Sequence, residues 1–390
     1  MKFHQAQRME GLSSAIFTEV DNLRKKQVAA GKDIITLSIG SPDLAPAPHI
    51  IEALQGGVLN PNNYGYTLSK GLPAFSNAVT NWYKCNFNVD LDAETEVYSL
   101  IGSQDGLAHI ALCLVNPGDV VLVPDPGYPI FSAGPLMAGA ELYRMPLTAA
   151  NSYLPDLTAI SDSILKRAKM MIINYPNNPL AAIAPREFFE EVIAFAKRYN
   201  ILICHDFAYS ELVFDGYRPD SFLSIPGAKE VGIEFHSLSK TYSMAGCRAG
   251  MVVGNSQVIS LLGKVKSNFD YGIFQPIQQA AVAALTGPQD CVRETALTYQ
   301  RRRDIIVNGL CEMGWQVDRP RASMYVWAPV PTKQSSFDFV ADLLQYAGVA
   351  LIPGSGFGQY GEGFVRIALV QPEDRLSEAI QRIQSWLGKL

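Results

Sequence analysis

Charged residues are scarce in this 390-residue chain, 18% in all, and nowhere do five of one sign run together. With a net charge of −5 there is no basic footprint for nucleic acid or for an anionic membrane surface, so neither is expected as a partner. The densest basic spot, Arg301-Arg302-Arg303, reads as the solvated face of a helix beginning near Thr298. Six scattered cysteines form no C-x-x-C pair, and the histidines lack metal-ligand spacing, so neither a disulfide framework nor a metal centre is expected. No stretch approaches the roughly eighteen apolar residues of a membrane span. Met1 to Ser13 lacks the apolar core of a secretory signal. A reduced, cytoplasmic setting and small-molecule partners fit these absences. There is no internal repeat and no low-complexity segment.

What is present is a large hydrophobic share, 48%, patterned as short β-branched runs alternating with longer segments of helical period. The runs fall at 34–39, 97–101, 120–124, 170–174, 201–206, 232–238 and 249–254, with amphipathic stretches such as 105–115, 186–199 and 256–269 between them. Strands buried on both faces and separated by helices imply an α/β fold with a mainly parallel sheet sandwiched by helices. After about residue 290 the pattern changes to a long helix (291–313), a strand (323–330), a helix (336–346), strands at 349–353 and 364–370, and a final helix (375–389). These features predict a large domain over 46–290 and a smaller α+β domain over 291–390, with segment 1–45 packing on the smaller one.

Ligands of open α/β sheets bind beyond the carboxyl ends of the strands, and the polar clusters gather there. Asn174 to Pro179 follows one run, Asp206 to Tyr209 the next, and Ser237 to Lys240 the third. A lone lysine is ordinarily a surface residue. Lys240, however, sits at a strand end among Ser237, Ser239 and Arg248, and two hydroxyls with a guanidinium make a phosphate site. A lysine beside a phosphate site invites a Schiff base, the chemistry of pyridoxal phosphate.

That cofactor needs an anion at its ring nitrogen, donors to its phenolic oxygen and a flat wall. Asp206 suits the first role, although it reads equally as a turn or cap aspartate. Tyr209 and Asn178 could serve the second, with Asn178-Pro179 otherwise a plain turn. Ser103 and Gln104, after Gly102, would offer a phosphate the N-terminus of a helix, or simply an N-cap. Tyr128, in DPGYP, could stack on a ring or anchor its loop. Arg366 lies among apolar residues in FVRIALV and needs an anion, either a substrate carboxylate or an internal salt bridge. Gly40 would permit close backbone approach to such a carboxylate.

The order IGSPD (39–43), YGYTLSKGLPAF (64–75), GSQDGL (102–107), DPGYP (125–129), NYPNNP (174–179), HDFAYSE (205–211), SLSK (237–240), CRAG (247–250) and FVRIA (364–368) resembles the class I/II aminotransferases of pyridoxal-phosphate fold type I. The resemblance covers nearly the whole chain. It implies that Lys240 carries pyridoxal 5′-phosphate, that Asp206 pairs with the ring nitrogen, and that Asn178 and Tyr209 contact the phenolic oxygen. By the same resemblance Tyr128 lies on the ring face, Ser103, Gln104, Ser237 and Arg248 surround the phosphate, and Arg366 grips the substrate α-carboxylate near Gly40. Tyr66 corresponds to a tyrosine that reaches the neighbouring subunit's phosphate, which implies a homodimer.

FHSLSKTY (235–242) and VKSNFDYGIFQPIQ (265–278) bring the wording closest to the LL-diaminopimelate aminotransferase-like members. This implies diaminopimelate or a related amino acid as donor and 2-oxoglutarate as acceptor. The alternatives are a broad-specificity alanine, methionine or aromatic aminotransferase, and a β-lyase using the same cofactor. Three positions depart from the family wording: Leu180-Ala181 replaces Thr-Gly, Cys247 replaces Trp, and Gln104 stands where lysine is frequent. Phe17, Tyr64, Tyr128, Asp270, Tyr271 and Gln275 are the candidates for lining the side-chain pocket.

Overall fold

A computed structural model describes residues 3–9, 12, 15–67 and 70–389. Leu68 and Ser69 of the 64–75 motif and much of the stretch before residue 15 lie outside the described residues. The strands are β1 (Ile35–Thr36), β2 (Val97–Leu100), β3 (Val120–Asp125), β4 (Glu141–Pro146), β5 (Ala168–Asn174), β6 (Leu202–Asp206), β7 (Gly232–Ser237), β8 (Gly250–Gly254), β9 (Tyr325–Pro329), β10 (Val349–Ala350), β11 (Ile352–Pro353) and β12 (Phe364–Ala368). Seven form the central sheet in the order β2-β8-β7-β6-β5-β3-β4, all parallel except β8.

Sheet residues alternate between two apolar layers. On one side Met171, Ile173 and Ile203 pack with Trp82, Phe189 and Val192 from flanking helices. On the other, Met170, Ile172 and Cys204 pack with Leu107, Ile110 and Leu262. Burial on both faces explains why β3 and β5 are legible as nearly continuous apolar runs. β4 was not expected, because its pattern of ELYRMP exposes most of its residues at the sheet edge and presents no apolar run.

The reversed direction of β8 has a consequence for chemistry. Its first residue, Gly250, pairs with both Leu100 and Ser237, the last residues of β2 and β7. Arg248, two residues earlier, is thereby brought to the same sheet edge as Gly102 and Lys240. A Cβ at Gly250 would lie within 3 Å of the Ser103 amide nitrogen, so glycine there lets the helix start against the strand.

A third apolar cluster joins Val20, Ile35 and Leu37 to Trp315, Val326, Phe339 and Ile367. β1 pairs in parallel with β10, and β9, β12 and β11 form a separate antiparallel sheet. The 349–353 run divides between these two sheets. The helix expected over 336–346 is α-helical only over Ser336–Asp342 and continues as a π-turn to Ala347.

The Arg301–Arg303 expectation is corrected. Only Arg301 faces solvent, paired with Glu373; Arg302 and Arg303 are buried and form two-pronged ion pairs with Asp43 and Asp215. Successive helix residues are set about 100° apart, so three in a row cannot share one face.

Candidate active site

The carboxyl ends of β5, β6 and β7 open into a cavity of about 540 Å3. Its walls include Gly40, Ser103, Gln104, Tyr128, Asn178, Asp206, Tyr209, Ser237, Lys240, Arg248 and Arg366, residues drawn from both ends of the chain. Tyr66 is not among them. It lies on the surface, 79% exposed, with its ring 4.7 Å from that of Tyr271. Of the proposed pocket residues, Phe17 and Tyr128 line the cavity, whereas Tyr64, Asp270, Tyr271 and Gln275 do not. Asp270 instead faces the buried ammonium of Lys266 at 2.5 Å, and Tyr64 donates to the Val58 carbonyl at 2.8 Å.

Lys240 rides on a single helical turn, Leu238–Thr241, whose start is capped by Ser237 Oγ accepting from the Ser239 N–H at 3.1 Å. Its Nζ donates to the Gly40 carbonyl at 2.5 Å. Burial lowers the Lys240 pKa; Tyr325 opposes this, Arg366 and Arg248 add to it, and Asp206 opposes it again. A less basic amine is the form that can attack a carbonyl.

Asp206 ends β6 with its carboxylate buried and receiving one long bond, from the Ala208 N–H at 3.3 Å. Burial pushes its pKa up to about 6, against the lowering influence of His205, the Ala208 amide and Lys240. A buried carboxylate with a single weak donor is an incomplete ion pair. The Asn178 loop is tied to the same strand: Asn174 Nδ2 donates to the Asp206 carbonyl at 2.8 Å, and Asn174 Oδ1 accepts from the Asn178 N–H at 2.8 Å.

The phosphate-sized corner is built from glycine and a helix start. Gly102 has φ +74°, and a Cβ there would overlap the Arg248 guanidinium, so that guanidinium lies directly over the N-terminus of helix Ser103–Leu114. Free N–H groups, the helix dipole and Arg248 converge on one anion position. Gln104 Oε1 accepts from the Tyr128 hydroxyl at 3.3 Å. The Tyr128 ring forms the adjoining wall, and burial raises its pKa.

Arg366 has no internal salt bridge among the described residues. It is buried, with Nη1 donating to Asn178 Oδ1 at 2.9 Å and Nη2 to the Ser38 carbonyl at 2.7 Å, and its Nε has no partner among the described residues. No carboxylate pairs with it among the described residues, so no internal salt bridge satisfies the charge. It lies 4.2 Å over the Tyr325 ring and 4.7 Å over that of Phe357, which offer it only neutral faces. A cation held this way still lacks an anion.

Tyr325 is the site residue that sequence reasoning missed. β9 and β12 pair Trp327 with Arg366, so Tyr325, two residues along, shares the Arg366 face. Its buried hydroxyl accepts from Tyr209 at 3.5 Å, and a Cβ at Gly40 would overlap it. Burial raises the Tyr325 pKa, but Arg366, Lys240 and the Tyr209 hydrogen bond outweigh that and leave it lowered, while Tyr209 is raised well above its ordinary value. The available signal was the alternation in SMYVWAPV, which puts Tyr325 and Trp327 on one face. Gly40→Ala should force Tyr325 or the Gly40 carbonyl aside and lower kcat/KM by about 100-fold, read by steady-state kinetics.

These residues fit pyridoxal 5′-phosphate. Asp206 is an unmatched carboxylate, the Gly102 corner an anion cradle too tight for any side chain, and Lys240 a depressed-pKa amine between them. The profile of the family Aminotransferase class I and II matches residues 32–383. The chain is also 50% identical, over 390 residues and the full length of both proteins, to an LL-diaminopimelate aminotransferase of Desulforudis audaxviator. The chain belongs to the class I and II aminotransferases. Members of this family depend on pyridoxal phosphate, and so does this enzyme. Among solved aminotransferase-fold structures, apo-BacF from Bacillus subtilis superposes with a TM-score of 0.95 at 39% identity, covering 99% of this chain and 98% of that one. A probable N-succinyldiaminopimelate aminotransferase from Thermus thermophilus gives 0.91 at 37%, covering 95% and 100%. No helix among the described residues is long and apolar enough to cross a membrane.

One departure of this aminotransferase from the family wording has a measurable cost. Ala181 stands where glycine is usual and keeps φ +54°, its N–H bonded to the Asn177 carbonyl at 3.1 Å. Ala181→Gly would relieve about 1–2 kcal/mol of left-handed strain against about 0.4–1 kcal/mol of added unfolded-state entropy. The urea midpoint should rise by the equivalent of roughly half a kcal/mol.

Proposed function

We propose that this aminotransferase takes LL-diaminopimelate as its amino donor and 2-oxoglutarate as acceptor, in a ping-pong cycle. The observation that carries the donor assignment is the 50% identity, without loss of coverage on either side, to a curated LL-diaminopimelate aminotransferase. The cavity supports it: beyond Lys240 it extends to helix Ala15–Ala29, where Asp21 and Lys25 line the wall as an ion pair of 2.7 Å. A donor whose far end bears both an ammonium and a carboxylate would meet one opposite charge for each.

In this reading Arg366 and Asn178 hold the α-carboxylate, which aims the donor's Cα–H bond at Lys240. Lys240 Nζ would take the proton from the donor's Cα and deliver it to C4′ of the cofactor. Asp206 keeps the ring nitrogen protonated, and the Gly102 corner with Ser103, Gln104, Ser237 and Arg248 anchors the phosphate. Pyridoxal phosphate, when bound, supplies the electron-accepting ring. Tyr209 and Asn178 would donate to its phenolic oxygen, and Tyr128 would lie against its face.

The organisation follows the same reading. Residues 46–290 form the cofactor-binding domain, and 291–390 with segment 1–45 the smaller one. The chain works in the cytoplasm as a homodimer, with Tyr66 and its exposed neighbours Tyr64 and Tyr271 at the subunit contact. Sedimentation should give a dimer that Tyr66→Asp weakens. Single-turnover absorbance with a panel of amino acids tests the donor. LL-diaminopimelate should convert the bound cofactor at least about 10-fold faster than alanine, methionine or phenylalanine, a difference of about 1.4 kcal/mol. Faster conversion by one of those three would establish the broad-specificity alternative, and pyruvate release without conversion the β-lyase.

A further inference from the structure

His205, the residue before Asp206, is fully buried, and each of its ring nitrogens faces an acceptor. Nδ1 lies 2.8 Å from Glu234 Oε2, and Nε2 lies 3.0 Å from the Tyr175 backbone carbonyl. A carbonyl only accepts, so Nε2 carries a proton. The carboxylate is already supplied with donors: Oε2 accepts from the Phe222 N–H at 2.9 Å, and Oε1 from the Ser221 hydroxyl at 2.8 Å. Ser221 Oγ itself accepts from the Leu223 N–H at 3.2 Å, which leaves its proton for Glu234. With both Glu234 oxygens accepting, the proton between Glu234 and Nδ1 belongs on the ring. A neutral imidazole would set a lone pair against a lone pair on one side, in a pocket closed by Phe189, Phe207 and Phe222.

The pair sits within the machinery of the site. Glu234 is the register partner of His205 on β7, three residues before Ser237, and Tyr175 follows Asn174, the register partner of Asp206 on β5. Tyr83 lies beside Glu234, and Asp206, the next residue on β6, projects from the opposite face of the strand into the cavity, so the His205 charge reaches it through the strand and not by contact. Burial and the Glu234 charge hold the Tyr83 phenol well above its ordinary pKa, so it stays neutral.

We propose that His205 is held as an imidazolium by Glu234 and the Tyr175 carbonyl, and that this buried cation is a positioning residue that favours the Asp206 carboxylate for the cofactor's ring nitrogen. His205 is the first of the influences that oppose burial at Asp206, ahead of the Ala208 amide and Lys240. The inference rests on the reading of Asp206 given above and is independent of the donor.

Two measurements test it. In 15N-histidine spectra of the holoenzyme, the ring signal that His205→Gln removes should show both nitrogens bonded to hydrogen. One bare nitrogen would overturn the proposal, whatever the variants do. Removing one partner alone strands a buried charge, so the functional arm uses the neutral pair His205→Gln with Glu234→Gln. The acid limb of pyridoxal phosphate binding, followed by fluorescence quenching against pH, should move up by about 1 pH unit. In an Asp206→Asn background the same two substitutions should move nothing further. An unmoved limb, or an equal shift in that background, overturns the proposal while the Asp206 reading stands. Wild-type binding by Asp206→Asn alone would overturn both.

Discussion

Lys240→Ala is expected to lower turnover by at least about 10^4-fold while the variant still binds pyridoxal phosphate. The lysine has two tasks that no neighbour can assume. Its Nζ is the amine that holds the cofactor, and it is the base that lifts the proton from the donor's Cα. Of the phenols in the cavity, Tyr209 and Tyr128 are raised by burial and stay protonated, so neither accepts a proton, and Tyr325 lies under Arg366. The phosphate corner, Asp206 and Asn178 do not involve Lys240, so affinity should fall much less than rate. Single-turnover absorbance reads both: a retained cofactor spectrum, and no conversion by the donor on the wild-type timescale. Turnover near wild type in this variant would remove Lys240 from the mechanism.

Asp206→Asn should separate stability from function in opposite directions. In the cofactor-free chain, burial lifts the Asp206 pKa from an ordinary 3.8 to about 6, so the native state binds this proton more tightly than the unfolded chain does. Stability contributed by the protonated form is therefore present below about pH 4 and is lost as pH rises through about 6. At pH 7 the ionised, nearly unpartnered carboxylate costs about 3 kcal/mol, some two pKa units at about 1.4 kcal/mol each. Asparagine does not ionise. The apo variant should be more stable than apo wild type by up to about 3 kcal/mol at pH 7 and about equal at pH 4, in urea unfolding at the two pH values. The holoenzyme should lose about 10^3-fold in kcat, since an amide cannot keep the ring nitrogen protonated. An apo variant no more stable than wild type at pH 7 would mean that Asp206 already has a partner, and the ring nitrogen would need another anion.

Much of this site is legible in the sequence alone. Lys240, Asp206, Arg248 and Arg366 stand at strand ends or inside an apolar strand, where a charged group needs a reason, and the order of the motifs supplies the family. Strands buried on both faces carry short, largely β-branched or apolar stretches ended by turn residues, and the expected β5, β6 and β7 match the observed strands to within two residues. β4 escapes such a reading because an edge strand facing water needs no apolar run, and the Arg301–Arg303 helix misleads because consecutive residues point in three directions.

The sequence by itself determined the chemistry, because charge, hydroxyl and amine types at the ends of apolar runs are local properties. Which of them meet was decided only by the tertiary structure. β8 runs backwards and so carries Arg248 to Gly102, and the pairing of β9 with β12 sets Tyr325 beneath Arg366. The same packing left Arg366 without a carboxylate partner among the described residues and closed both nitrogens of His205 with acceptors. Register and strand direction are long-range facts, set by which apolar faces can be buried together, and no window along the chain contains them.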